Sequence, residues 1–168
     1  MPVEVQRVRR ADAAELIAAN RASVAYHAPW ITGFADQAGF DAWLARDITG
    51  ANVSLIARER PGAIVGVVNL NEIVLGVFRS AYLSYWGYAG FGGRGLMTEA
   101  LRGAVRYAFD ELGLHRVEAN IQPGNSRSIA LVRRAGFTKE GYSPGYLFIG
   151  GAWRAHERWA LRAEAPSS

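Results

Sequence analysis

Cysteine is absent from this chain of 168 residues. That excludes disulfide staples, thiolate metal ligands and a cysteine nucleophile. Histidine is scarce, and His27, His115 and His156 stand at none of the spacings that hold a metal ion, so no metal site is expected. Lysine is rarer still: Lys139 is the only one, and arginine supplies the other cations behind the net charge of +4. No basic block reaches five residues, so neither a nucleic-acid arm nor direct reading of nucleic acid is expected. The arginine excess is either a solvated surface or an attraction for an anionic ligand or a ribonucleoprotein. Apolar runs are too short to span a bilayer, and the opening "MPVEVQRVRR" lacks the apolar segment of a secretory signal. No membrane partner is expected, and the expected location is the cytoplasm.

Half of the residues are apolar and a fifth are charged, a composition that suits one globular domain, residues 1–168, with a sizeable core. "VEVQRVRR" alternates as a first strand. Asp12 is placed to cap a helix over "AAELIAANRAS". Pro29 and Gly33 interrupt "YHAPWITGF", and Phe40, Trp43, Leu44 and Ile48 then recur at helical spacing. The runs "NVSLIARER", "AIVGVVNLNEIVLGVF" and "SAYLSYWGY" are β-branched or aromatic and are separated only by "PG" and "RS". Links that short make the three strands antiparallel. The clearest helix follows, its apolar stripe running from Leu96 and Met97 through Ala100, Leu101, Ala104 and Val105 to Phe109 and Leu112, with Gly113 ending it. "HRVEANIQ" is a strand, "NSRSIALVRRAGF" a short helix from Asn125 to Gly136, and "YLFIGGAWRAHERWAL" a hairpin about Gly150 and Gly151. "EAPSS" is a tail expected to fray. Trp86 and Trp153 read as core residues.

"GYAGFGGRGL" poses the functional question. Gly90, Gly92 and Gly95 match a dinucleotide-binding fingerprint, but that fingerprint belongs in the first turn of a parallel βαβ unit, with an acid about twenty residues on. These glycines follow an antiparallel meander, and the acids at a suitable distance, Glu111 and Glu118, fall at a helix end and on the next strand. A triphosphatase loop is excluded because no Gly-Lys-Ser/Thr follows. What the stretch does offer is a glycine-rich turn opening into a helix, where free N–H groups and the helix dipole favour an anion.

The pieces "HAPW", "GVVNLNEIVLGVFRSAYLSYW", "GRGLMTEAL", "HRVEANIQPGNSRSIALVRRAGFTKEGY" and "YLFIGGAWRAHERWAL" resemble the GNAT acetyltransferases. Within that superfamily they resemble the ribosomal-protein N-terminal acetyltransferases of the RimJ/RimL type. The likeness spans most of the chain from His27 onward and is most specific in the "N-x-x-S…GF…EG" run and the closing hairpin. It implies an α/β (α+β) single domain with a central mixed, mostly antiparallel twisted sheet flanked by helices. It also implies acetyl-CoA as cosubstrate and an amine as acceptor. The CoA pyrophosphate would sit on backbone N–H groups of Gly93, Arg94, Gly95, Leu96, Met97 and Thr98. The strand edge at Tyr85 and Trp86 would pair with the pantetheine, Asn125 would touch it, and Ser128 would stand near the sulfur as proton donor. Pro29, Trp30 and the second helical stretch would border the acceptor groove. The family usually has glutamine or arginine where this chain has Gly92, and often aspartate where it has Ala155.

Acetyl transfer needs a neutral amine, a stabilised oxyanion and a departing thiolate. Without cysteine, direct attack in a ternary complex is the simplest scheme. Glu118 is a candidate base acting through water, with pairing to an arginine as its alternative; Glu72 is a second carboxylate candidate. Asn69 and Asn71 are candidates for hydrogen bonds to the acceptor. Ser128 is either the proton donor or a capping hydroxyl. Tyr142 and Tyr146 are either groove or core residues. The favoured acceptor is a protein or peptide N-terminal α-amine, such as that of a ribosomal protein. The alternatives are a small amine or aminoglycoside, a catalytically weak acyl-CoA-binding protein, and an arginine-rich ribosome-binding module. The oligomeric state is not written in the sequence, and a homodimer is one of the states it allows.

Overall fold

Alternating and near-continuous apolar runs set the sheet. In the computed structural model, which describes residues 2–164, β1 (Val3–Arg7) pairs antiparallel with β2 (Val53–Glu59), β2 with β3 (Ile64–Val74) and β3 with β4 (Ser80–Gly87). The tail expected to fray lies outside the described residues from residue 165 on. Strand β5 (Arg116–Ile121) joins β4 in parallel, and β7 (Ala152–Arg162) and β6 (Thr138–Ile149) complete the order β1-β2-β3-β4-β5-β7-β6. A parallel neighbour requires a crossover, which α4 (Leu96–Arg106) supplies.

Helices cover both faces. Leu101, Ala104 and Val105 of α4 and Leu131 and Val132 of α5 (Ser126–Arg134) pack on Leu55, Val68, Leu83, Val117 and Ala119. On the opposite face, Leu16 of α1 (Ala13–Ala22) and Phe40 of α3 (Gln37–Ala45) pack on Ile56 and Val67. Full burial of side chains such as Leu16, Leu101 and Phe40 contributes about 1.5–3 kcal/mol each. A short helix, α2 (Val24–His27), interrupts the region read as irregular, and His27 Nε2 is 2.8 Å from the Gly87 carbonyl oxygen. No helix among the described residues is long and apolar enough to cross a membrane.

Several local expectations differ from the structure. Asp12 does not cap α1: its carboxylate accepts the Arg9 N–H at 2.7 Å and pairs with Arg58 at 3.5 Å, because the chain enters α1 through a 3-10 turn at Arg10–Asp12. Ile48 lies beyond α3 and is exposed. The β3–β4 link is not "RS": β3 ends at Val74, and Gly76 and Arg79 take left-handed backbone angles in the turn. This leaves Leu75, Val77 and Phe78 in solvent. The α4 stripe runs on into a π-helical turn at Tyr107–Glu111 before Gly113 ends it. Trp153 is not core; it is exposed on the last hairpin, packed edge-on to Phe148.

One irregularity of the sheet positions the site. The β4–β5 register ends at Leu83↔Ala119, whereas β4 remains paired with β3 up to Gly87 and β5 with β7 up to Ile121. Past Leu83 the two central strands therefore splay. Backbone groups of residues 84–87 that face the opening have no ladder partner there and need another.

Candidate functional site

Two cavities, of about 450 Å³ and 480 Å³, meet in this opening. Trp30, Ile31, Tyr85, Asn125 and Ser128 line both and form the neck between them.

The first cavity is bounded by the glycine turn. Gly93 and Gly95 have φ of +74° and +75°, and no atom lies within 4 Å of where a Cβ would be at either position. Only glycine adopts this backbone without strain, and its lack of a side chain leaves a cradle open to a ligand. Gly95 is the N-cap of α4, so the next N–H groups, those of Leu96, Met97 and Thr98, begin the helix without helical acceptors. Tyr85, Trp86, Gly93, Gly95, Leu96, Met97 and Thr98 all line this cavity. Arg94 contributes only backbone to the turn, because its guanidinium is paired with Glu59. Two basic groups not singled out in the sequence, Arg127 and Arg134, also line the cavity, and among the described residues no acidic one does. Arg127 lies 4.6 Å over the Tyr26 ring, and Arg134 Nε donates to Thr98 Oγ1 at 3.3 Å. Gly92 has no left-handed angle; a Cβ there would meet the Tyr26 hydroxyl at 3.3 Å. Tyr26 thus fills space in front of the position where the family usually has a long side chain.

At the neck, Asn125 is the N-cap of α5, and its Oδ1 accepts the Ser128 N–H at 3.3 Å. The capping is therefore done by Asn125. The Ser128 hydroxyl instead lies 2.6 Å from the Tyr85 hydroxyl. Burial pushes the Tyr85 phenol up to about 12, opposed by its hydrogen bond to Ser128. Tyr85 is accordingly a neutral hydroxyl at any ordinary pH. The sequence reading enlisted its strand edge and missed this hydroxyl.

The second cavity lies across the neck. Trp30, Asn71 and Glu72 line it; Asn69 does not, but acts on it through Ser84. The amides of Asn69 and Asn71 donate to Ser84 Oγ at 3.1 and 3.0 Å. Both serine acceptor positions are then used, and its O–H remains available to donate; Ser84 itself lines the cavity. Arg46 donates to Asn71 Oδ1 at 2.8 Å and fixes that amide. Glu72 sits on an irregularity of β3 with a left-handed φ of 49°, a strained angle for a residue with a side chain. Among the described residues it is the only Asp, Glu, Lys or Arg that lines the cavity. Tyr82, Tyr146 and His156 complete the wall. Partial burial, then the neighbouring Tyr146, Glu118 and Glu72, push the Tyr82 phenol up. Tyr142 is exposed and belongs to neither groove nor core.

Glu118 lines neither cavity, and its carboxylate is engaged in an ion pair. Its Oε1 accepts from Arg116 Nε at 2.9 Å and from a terminal nitrogen at 2.6 Å, and the same guanidinium holds Glu140. These contacts raise Arg116 above its ordinary value and hold Glu140 below its own, the hydrogen bond between them being the main cause. Arg58, Arg60 and Arg94 are also paired, with Asp12 and Glu15, with Glu4 and with Glu59. Part of the arginine excess is thus spent on ion pairs within the fold.

Comparison with known proteins agrees with this geometry. The chain is 46% identical over 98 residues to the [Ribosomal protein uS5]-alanine N-acetyltransferase of Escherichia coli, a match covering 58% of this chain and 50% of the relative. The chain spans about half the length of that curated relative. The solved structure of Mycobacterium smegmatis RimJ in complex with CoA-disulfide superposes with a TM-score of 0.86 at 29% identity, covering 96% of this chain and 82% of that one. Spermidine N-acetyltransferase from Vibrio cholerae, solved with CoA and spermine, shares the fold at a TM-score of 0.80 and 19% identity, over 96% of this chain and 95% of that one. A family model described as acetyltransferase (GNAT) domain matches residues 3–138, and with the splayed sheet and the glycine turn this shows that the chain belongs to the GNAT acetyltransferase family.

Proposed function

We propose that this protein transfers the acetyl group of acetyl-CoA directly to an amine, and that the acceptor is a protein or peptide N-terminal α-amine. The observation that carries the reading is the pair of cavities of opposite character joined at Ser128. One has helix N–H groups, two arginines and no acid; the other has Glu72 and no lysine or arginine. A polyanionic donor and a cationic acceptor fit these two environments respectively. The named activity of the Escherichia coli relative and the CoA-disulfide bound to the Mycobacterium smegmatis relative support the same assignment.

In this scheme the pyrophosphate lies on the N–H groups of Gly93 to Thr98, with Arg127 and Arg134 alongside. The pantetheine takes the open edge of β4 at Tyr85 and Trp86 and reaches Asn125. The thioester carbonyl then falls in the neck. Glu72 draws a cationic acceptor to the rim, and Trp30, Asn71 and Ser84 border its path. The α-amine is ordinarily half deprotonated near pH 7.7–8.0, so a neutral nucleophile is available near neutral pH. As the C–S bond breaks, Ser128 hydrogen-bonds the developing thiolate, and Tyr85 orients the serine. A cytoplasmic setting, where acetyl-CoA and nascent N-termini coexist, suits this activity.

The test is an acceptor panel read by mass spectrometry. Peptides beginning with alanine or serine should gain one acetyl group, and the same peptides with blocked N-termini should not. Acetylation confined to aminoglycosides or to spermidine overturns the acceptor assignment. Absence of acetyl-CoA consumption with every amine overturns the transferase assignment.

A further inference from the structure

Resting on that transferase reading, we propose that His156 is the general base that removes the proton from the attacking amine. Glu118 cannot serve, because it lines neither cavity and is held by Arg116. Glu72 lines the acceptor cavity but at the wrong level. It is four residues along β3 from Val68, the partner of Tyr85, a distance of about 13 Å along the strand.

His156 is at the right level. Across the splay, Tyr85 and Ile121 each lie two residues beyond the last β4–β5 pair, Leu83↔Ala119. Ile121 pairs with Glu157 of β7, so His156 is one residue past the level of Tyr85 and Ser128. Its side chain is 98% buried by its 2% exposure, yet it lines the acceptor cavity. The two catalytic groups also lie on opposite sides of the sheet. Ser128 belongs to α5, which packs with Leu83 and Ala119. His156 alternates with Glu157 and so shares a face with Arg158, the partner of Asn120. An amine attacking from one side and a thiolate leaving on the other need base and donor arranged in this way.

The tautomer is fixed by the backbone. His156 Nδ1 lies 2.9 Å from the Arg154 carbonyl oxygen. A carbonyl only accepts, so Nδ1 carries the proton and Nε2 presents a lone pair. Nε2 has no hydrogen-bond partner among the described residues. The titratable groups that share the cavity with it are Glu72 of β3, Tyr82 and Tyr85 of β4 and Tyr146 of β6, whose ring is 6.0 Å away. Arg154 and Arg158 flank it on its own strand, and Ser143 is its neutral partner on β6.

The proton inventory closes. The amine lone pair attacks the carbonyl carbon and forms the C–N bond. The nitrogen of the tetrahedral intermediate gives its proton to Nε2. The C–S bond breaks, the electron pair leaves with sulfur under the Ser128 hydrogen bond, and the thiolate takes a proton from solvent as CoA departs. His156 returns its proton to solvent.

The test uses His156→Asn and His156→Ala in the full chain. Asparagine can keep the hydrogen bond to the Arg154 carbonyl but cannot take up a proton. It should retain the acetyl-CoA affinity and melting temperature while kcat falls roughly 10²–10⁴-fold. The alanine variant should regain activity with added imidazole, saturably, and in proportion to the neutral fraction of imidazole as pH is varied. A folded His156→Asn variant with kcat within about threefold of the parent overturns the proposal, and so does an alanine variant that imidazole cannot restore at any pH. A parent protein that acetylates no amine instead overturns the transferase reading, and this assignment with it.

Discussion

Replacing Ser128 by alanine deletes one oxygen, and the structure says what that oxygen does. It does not cap α5, since Asn125 Oδ1 holds the Ser128 N–H. It stands 2.6 Å from the Tyr85 hydroxyl, which has no other hydrogen-bond partner among the described residues. Ser128→Ala therefore leaves a largely buried hydroxyl unpaired, at a cost of about 1–3 kcal/mol. For a domain of this size that is a fall in melting temperature of roughly 2–12 °C. Adding Tyr85→Phe removes the orphaned group and should recover part of the loss. On the rate, Tyr85 cannot be the final proton source. Its phenol is pushed up to about 12, and a thiol ordinarily sits near 8.5, so full transfer is uphill by about 5 kcal/mol. Tyr85 instead positions the serine: with the Ser128 O–H turned to sulfur, the Tyr85 O–H is the donor to Ser128 Oγ. Ser128→Ala should lower kcat roughly 100-fold, the low end for a positioned donor, and Tyr85→Phe about 10-fold. The double variant should match Ser128→Ala rather than the product of the two, because the residues act in series. The assay is a double-variant cycle on kcat by CoA release, with acetyl-CoA affinity measured calorimetrically and expected unchanged. Multiplying effects, or a folded Ser128→Ala variant with normal kcat, would refute the chain from Tyr85 through Ser128 to sulfur.

Three further outcomes are expected. Gly95→Val should cost about 1–3 kcal/mol through its left-handed backbone and abolish the thermal stabilisation by acetyl-CoA, whereas Gly92→Ala, with ordinary φ, should keep it. Glu118→Gln should lower the melting temperature, because Arg116 loses a partner, while kcat stays within about threefold of the parent; a flattened acidic limb in its rate profile would restore Glu118 as base. Above pH 10 the fold should weaken. The folded Tyr85 phenol holds its proton up to about 12 and the unfolded one only to 10.0. Stability is therefore intact below pH 10 and declines as pH rises through about 12, by at most about 3 kcal/mol from this group. Tyr85→Phe should flatten that decline in alkaline urea titrations, and an unchanged slope would contradict it.

The parts legible in the sequence are those whose causes are local. Short links dictate the antiparallel β2–β3–β4 meander, a 3.6-residue stripe dictates α4, and paired glycines at 150 and 151 dictate the last hairpin. The glycine turn opening into α4 was legible for the same reason. What was hidden depends on partners far along the chain. Asp12 pairs with Arg58, and the Arg116 guanidinium that holds Glu118 also reaches Glu140 on β6. The Tyr85 and Ser128 hydroxyls meet across 43 residues. Val77 and Trp153 are apolar and yet exposed, Val77 in the β3–β4 turn and Trp153 near the start of β7. The spacing of His156 speaks only to metal binding and says nothing of a base. Nothing local sets it apart from Arg154, Glu157 and Arg158 on the same strand, and only the β5–β7 register brings it level with the neck.

The most direct test is a crystal structure with CoA and an alanine-initiated peptide bound together. The pyrophosphate should rest on the N–H groups of residues 93–98, the sulfur should lie within hydrogen-bonding distance of Ser128 Oγ, and the peptide N-terminus should enter from the side of Glu72 and His156. CoA bound on another surface, or a sulfur and an N-terminus that do not converge at Ser128, would contradict the account.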